Sequence, residues 1–321
     1  MKTKLGRLGT TQNKVPLLLA LGTHGVIYSK KIGVVGDTDR ELSPDMMYAQ
    51  GDKKFFSGAI VPFLEEHVGA GKKVTVIEEK AAFLTLVQTT LAGRFDYLKP
   101  LIHMVLHPDL YGEDHFRNLF ESVKSLGRDL DDDLERTINS GVFPPNFIDQ
   151  MGFLEAVSRL NVLRPGSIKV LIEHQDDEAI WAAAQFWELM YRDLHRLTLT
   201  PAEMLEFMLT IPTHLIRDNR AYVRAMTEFA YIRDLEVAKQ ATEIVNRGEA
   251  DAIVIPRGAA HLGLKDLLDP SVFDIIVAPD EKAIMERLEE TPYHLAILER
   301  YQTGPLSEER IEHYSKLLPS I

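Results

Sequence analysis

Cysteine is absent from the 321 residues, which excludes disulfides, thiolate nucleophiles and cysteine-ligated zinc or iron–sulfur centres together. Any metal must then be held by His, Asp or Glu. Basic residues are in deficit, because 36 Lys and Arg face 48 Asp and Glu for a formal charge of -12. Such a surface repels a phosphate backbone, so no nucleic-acid partner is expected. Long apolar runs are missing too: nothing approaches the roughly 18 consecutive apolar residues of a membrane span. The run Val15-Pro-Leu-Leu-Leu-Ala-Leu21 is too short and too far from Met1 for a secretion signal. The composition therefore predicts a cytoplasmic protein with no membrane partner. GxGxxG and GxSxG patterns are also absent, which counts against dinucleotide binding and a serine nucleophile.

What is present is enough apolar material for a large core, 45% of the chain, and a pattern of short apolar runs between helical segments. Strands are expected around Leu17–Leu21, Val74–Glu78, Ile168–Ile172, Ala252–Ile255 and Asp274–Ala278, each a brief apolar run bounded by turn residues. The polar stretch from Gly22 to about residue 53 reads as a long loop. Phe56, Ile60, Phe63 and Leu64 recur at helical spacing before Gly69-Ala-Gly71. Strands alternating with helices predict an α/β fold, with a mixed or mostly parallel central sheet flanked by helices. We read residues 1–321 as a single α/β domain, with about 82–160 a mainly helical insert. The parallel between Val76-Ile-Glu-Glu-Lys80 and Leu171-Ile-Glu-His-Gln175 hints at two related halves.

In open α/β sheets ligands bind outside the carboxyl ends of strands. His24, Glu78, Glu173 and His261 all fall at expected strand ends, and this coincidence carries the functional reading. His24 follows a strand through Gly22, a residue that lets backbone approach a ligand. His261 follows Gly258, and Leu262, Leu264 and Leu267 suggest a helix starting there, whose positive end would face an anion. Glu78 can serve as a general base or a hard metal ligand, as can Glu173 beside His174. Arg217 and Arg220, in Arg217-Asp-Asn-Arg220, carry guanidinium groups that can grip an oxyanion. Two motifs fail. Asp129-Leu-Asp-Asp-Asp133 lacks the glycine and final acid of a calcium loop, and Gly69-Ala-Gly-Lys-Lys73 leads from helix to strand, not the reverse. His103 and His107 place two imidazoles on one helix face with Glu113, Asp114 and His115 nearby; without the glutamate of the HExxH zinc pattern they read first as helix-surface histidines, with metal binding the alternative.

In order along residues 17 to 267, the segments Leu21-Gly-Thr-His-Gly-Val-Ile-Tyr-Ser29, Val76-Ile-Glu-Glu79, Arg217-Asp-Asn-Arg220 with Met226, and Val254-Ile-Pro-Arg-Gly-Ala-Ala-His-Leu-Gly-Leu264 resemble the TraB/Tiki and erythromycin-esterase/ChaN-like group. The resemblance implies an α/β core of two related halves with both histidines and the acid facing one cleft. It implies one of three chemistries: metal-dependent proteolysis, lactone opening by a histidine base, or haem binding. Fold alone does not choose among them. The leading expectation is hydrolysis of an ester or amide in a small molecule or peptide. In one version a divalent metal is held by His24, Glu78 and His261. In the other a histidine is general base, with Arg217 or Arg220 on the oxyanion. Gly22, Gly258, Glu173 and His174 would line the bound group. Haem is the alternative ligand, a non-catalytic interaction protein is the third reading, and a homo-oligomer is left open.

Overall fold

A computed structural model describes residues 14–22, 44–79, 98–142, 152–194, 219–289 and 294–318. The described strands are β1 (Val15–Gly22), β2 (Val74–Glu78), β3 (Ile168–Ile172), β4 (Ala252–Gly258) and β5 (Phe273–Ala278). They form one all-parallel sheet in the order β3-β2-β4-β1-β5. The sheet is thus wholly parallel, the stricter of the two expected forms. Its middle strands β1, β2 and β4 are runs of buried residues, as a parallel strand covered on both faces requires.

The described helices are α1 (Pro44–Gly69), α2 (Lys99–Leu106), α3 (Glu113–Ser140), α4 (Leu154–Leu163), α5 (Asp177–Leu194), α6 (Asn219–Asn246), α7 (Leu264–Leu267), α8 (Glu281–Leu288), α9 (Leu295–Thr303) and α10 (Glu308–Ser315). The loop expected through residue 53 is corrected, since residues 44–53 already belong to α1. Proline is favoured in a first helical turn, and Met46, Met47, Ala49 and Gln50 are good helix formers. The helix expected at His261 is present only in brief form: a 3-10 turn, Ala259–Gly263, carries the histidine, and α7 behind it is four residues long, so no helical positive end is aimed from there.

Two cores sandwich the sheet and a third stands beside it. On one face Leu18, Ala20, Val74, Val76 and Val254 meet Phe56, Ile60 and Leu64 of α1 and Val157 and Leu160 of α4. On the other, Leu17, Leu19, Leu21, Ile77, Ile253 and Ile255 meet Val237, Ala238 and Ala241 of α6 and Ile284 of α8. The third core has no strand in it: Leu101, Val123, Ala183, Phe186, Val223, Met226 and Ala296 pack helix on helix. α6 joins two of these, its first half in the helical core and its second half on the sheet. No described helix is long and apolar enough to cross a membrane.

α1 packs on one face of the sheet, and α7, reached from β4 through the 3-10 turn, packs on the other. Gly22 and Gly258 are Cα partners at the carboxyl ends of β1 and β4, the end at which open α/β sheets bind ligands. At the far edge, β3 is sealed by side chains. Asn161 bonds Ile168 through both amide atoms (2.8 and 2.9 Å), and Asn139 does the same to Val170 (2.8 and 2.9 Å). Glu135 Oε1 accepts from the Ile172 N–H at 2.8 Å, and Gln240 Nε2 donates to the Ile172 carbonyl at 3.1 Å. Every outward backbone group of residues 168, 170 and 172 is thereby satisfied, and edge pairing is blocked.

Candidate functional site

The carboxyl ends of β2, β3 and β4 carry charge where the strands themselves are apolar. Alternation along a strand sends successive side chains to opposite faces. Thr75 and Ile77 face α6, so Glu79 does too, and Glu173 and Arg257 follow Leu171 and Ile255 in the same sense. α6 answers with Arg233 and Asp234, both buried. They sit between Ala230 and Val237, where the helical core gives way to the sheet core.

These groups form one network. Arg233 donates through Nη2 to Glu79 Oε1 at 2.7 Å and to Glu173 Oε1 at 2.8 Å, with Nε also on Glu173 Oε1 at 3.0 Å. Arg257, with a side chain 0% exposed, donates to Glu173 Oε2 at 2.7 Å and to the Pro256 carbonyl at 2.9 Å. Its Nε lies 3.7 Å from Asp234 Oδ1. Burial pulls the Arg233 guanidinium down, but the carboxylates of Glu173 and Glu79 outweigh it and hold it above its ordinary value. Two guanidiniums thus stand against three carboxylates, and both arginines are committed to pairs. They lock the strand ends to α6, and neither is at liberty to meet a substrate oxyanion.

One corner differs. Asp234 Oδ2 lies 2.7 Å from His261 Nδ1 and also accepts the Tyr301 hydroxyl. Burial first, and the Asp234 carboxylate second, push the Tyr301 phenol well above its ordinary value, so it stays a neutral donor. With Nδ1 fixed, His261 Nε2 has no hydrogen-bond partner among the described residues, and the side chain remains 12% exposed. Gly263 makes this corner possible. A Cβ there would lie 2.3 Å from the Tyr301 ring, so only glycine lets the ring from α9 cross to Asp234. A buried carboxylate orienting an imidazole whose second nitrogen is open is the arrangement of a general base.

The residues expected from sequence separate accordingly. His261 and Glu173 lie in this network, joined through Arg257 and Asp234. His24 and Arg217, and with them the shared cleft of the two histidines, lie outside the described residues. Glu78 is fully buried, but it follows Val74 and Val76 on the α1 face, and Glu79 is the acid that reaches Arg233. The repeat-like motifs misalign by one residue for this reason. Register pairs Glu78 with Ile172, so Glu79, not Glu78, is the counterpart of Glu173. A Cβ at Gly22 would fall 2.3 Å from the Phe56 ring, so the missing side chain makes room for α1. Gly258 is a buried extended residue at the end of β4. The side chain of His174 is exposed, and its backbone N–H donates to Gln240 Oε1 at 2.9 Å. Arg220 stands apart from the buried network. It is 51% exposed, pairs with Glu308 at 2.9 Å and Glu312 at 3.4 Å, and lies thirteen residues before Arg233, about 20 Å along the helix at 1.5 Å per residue.

Among the described residues, no three His, Asp or Glu side chains are grouped so that they could hold a metal. Two grooves lie elsewhere. One, about 790 Å³, runs between the end of α3, α4 and the start of β3, and one of about 500 Å³ lies along α5 and the first turns of α6. Arg233, Asp234, Arg257 and Tyr301 were not singled out from sequence. A signal for the first two exists: Met226, Ala230, Arg233, Asp234, Val237, Ala238 and Ala241 follow one helical stripe, so these charges occupy core positions. No known protein family, no curated protein and no solved structure matches the chain.

Proposed function

We propose that the chain is a hydrolase of ester or amide bonds in which His261 is the general base and Asp234 its orienting acid. The observation behind this reading is the 2.7 Å contact between Asp234 Oδ2 and His261 Nδ1, with Nε2 lacking a partner among the described residues just past the carboxyl end of β4. His261 Nε2 removes a proton from water as the oxygen attacks the carbonyl carbon. Asp234 stabilises the imidazolium so formed. The same imidazolium returns its proton to the departing alkoxide or amine as the C–O or C–N bond breaks. Tyr301 donates to Asp234 and keeps its carboxylate aimed at Nδ1. The reading belongs with the histidine-base branch of the resembled group, on a small-molecule or peptide substrate, and it uses neither Glu78 nor Arg220.

The test is a panel of p-nitrophenyl esters and short peptides, with wild type compared against His261→Gln and Asp234→Asn after thermal melts establish folding. A general base contributes about 10² to 10⁴ in rate, so kcat is expected to fall by that factor in folded His261→Gln. An unchanged kcat in that variant overturns the proposal.

A further inference from the structure

A second cluster of imidazoles lies away from the sheet, at the carbonyl end of α2. His103 and His107 are both exposed, with ring centroids 4.7 Å apart. The His107 N–H donates to the His103 carbonyl at 3.0 Å and closes the last turn, while His107 itself leaves helical geometry as the C-cap (φ -134°, ψ 57°) with its ring tilted 52° to that of His103. Tyr111 closes the group, its hydroxyl 2.5 Å from His103 Nδ1 and its ring edge-on to the His103 ring at 5.8 Å.

We propose that His103 and His107 form a binding site for a borderline divalent transition metal of the zinc, nickel or copper(II) class. Two imidazoles on a tetrahedral zinc, at Zn–N of about 2.0–2.1 Å, hold their donor nitrogens about 3.4 Å apart. Rings 4.7 Å apart on exposed side chains reach that separation by small torsional adjustment. Imidazole suits this class of ion, whereas magnesium and calcium require oxygen ligands. The site stands at the negative end of α2, where a cation is favoured, on a chain of net charge -12. Tyr111 adds the outer support that metal-bound histidines use. With the metal on Nε2, His103 Nδ1–H donates to the phenol oxygen and fixes the tautomer. Water completes the coordination. This inference is independent of the hydrolase reading, which uses different residues.

The experiment is calorimetric titration of the full chain with zinc chloride, with magnesium chloride as the hard-ion control. One zinc per chain is expected at this site, retained in the His24→Ala/His261→Ala variant and weakened at least tenfold in His107→Ala. Tyr111→Phe is expected to weaken it by about 10-fold, at the low end for an outer-shell partner. Equal zinc affinity in wild type and His103→Ala/His107→Ala overturns the proposal. So does zinc binding abolished by His24→Ala/His261→Ala alone, or magnesium binding as tight as zinc. Circular dichroism melts check that each exposed-site variant stays folded.

Discussion

Helix α6 carries arginines in two settings, and the contrast between them separates what charge does at the surface from what it does inside. Near its start, Arg220 and Arg224 share Glu308 at 2.9 and 2.7 Å with side chains about half exposed. In its middle, Arg233 makes contacts of similar length to Glu79 and Glu173, but it is 6% exposed. Distances alone do not distinguish the two. The exposed pairs are screened by water and are worth about 0–1 kcal/mol. The buried ones have no such screening, so each carboxylate is needed to keep a guanidinium from standing uncompensated inside the protein.

Removing one acid from each setting tells the two apart most strongly. Glu173→Ala leaves Arg233 and Arg257 short of their shared carboxylate, and a loss of about 3–5 kcal/mol is expected. Glu308→Ala is expected to cost no more than about 1 kcal/mol. Urea midpoints measure both, and similar values would show that burial does not set their worth. Next in size is Gly263→Ala, whose new Cβ must displace the Tyr301 ring at 2.3 Å. About 1–3 kcal/mol is expected from overpacking, with Tyr301 fluorescence and near-ultraviolet dichroism reporting the shift. Smallest is the effect of pH on the outlying cluster of Glu299, Arg310 and Tyr314. Hydrogen bonding from Arg310 holds the Glu299 carboxyl below its ordinary range, so its contribution is present above the unfolded carboxylate pKa and is lost as pH falls through the folded one. Tyr314 behaves in the opposite sense. Burial, then the Glu299 hydrogen bond, push it up to about 12, so its contribution is present below the unfolded phenol range near 10 and is lost as pH rises through about 12. Melts of Tyr314→Phe across that alkaline range should converge on wild type if the assignment holds.

The strands were legible in the sequence because short apolar runs bounded by Pro16, Gly22, Gly71 and Pro165 leave few other readings. The charged strand ends were legible too, since Glu78-Glu79 and Glu173 follow apolar runs. Which of two adjacent acids turns inward was not, because it depends on the pleat, and the pleat depends on which face each strand presents to α1 or α6. Arg233 and Asp234 were hidden for a related reason. Their partners lie at the ends of strands far along the chain, so a charge in an apolar stripe looks like an interruption until the sheet supplies its counterpart. Arg220 pairs at the surface with Glu308 and Glu312, a setting supplied by α10 far along the chain and not by its sequence neighbours. The start of α1 was missed because glycine and aspartate at 51 and 52 suggest a turn, and the residues on either side outweigh them.

The closed edge of β3 also bears on how the chain is made. Glu135, Asn139 and Asn161 all precede the strand they cover, so during synthesis they leave the ribosome before Ile168 does. β3 therefore emerges into the presence of most of its own cover. Only Gln240 arrives later, and until then a single carbonyl, that of Ile172, waits on water. The growing sheet is shielded on this side from neighbouring nascent chains by residues already made.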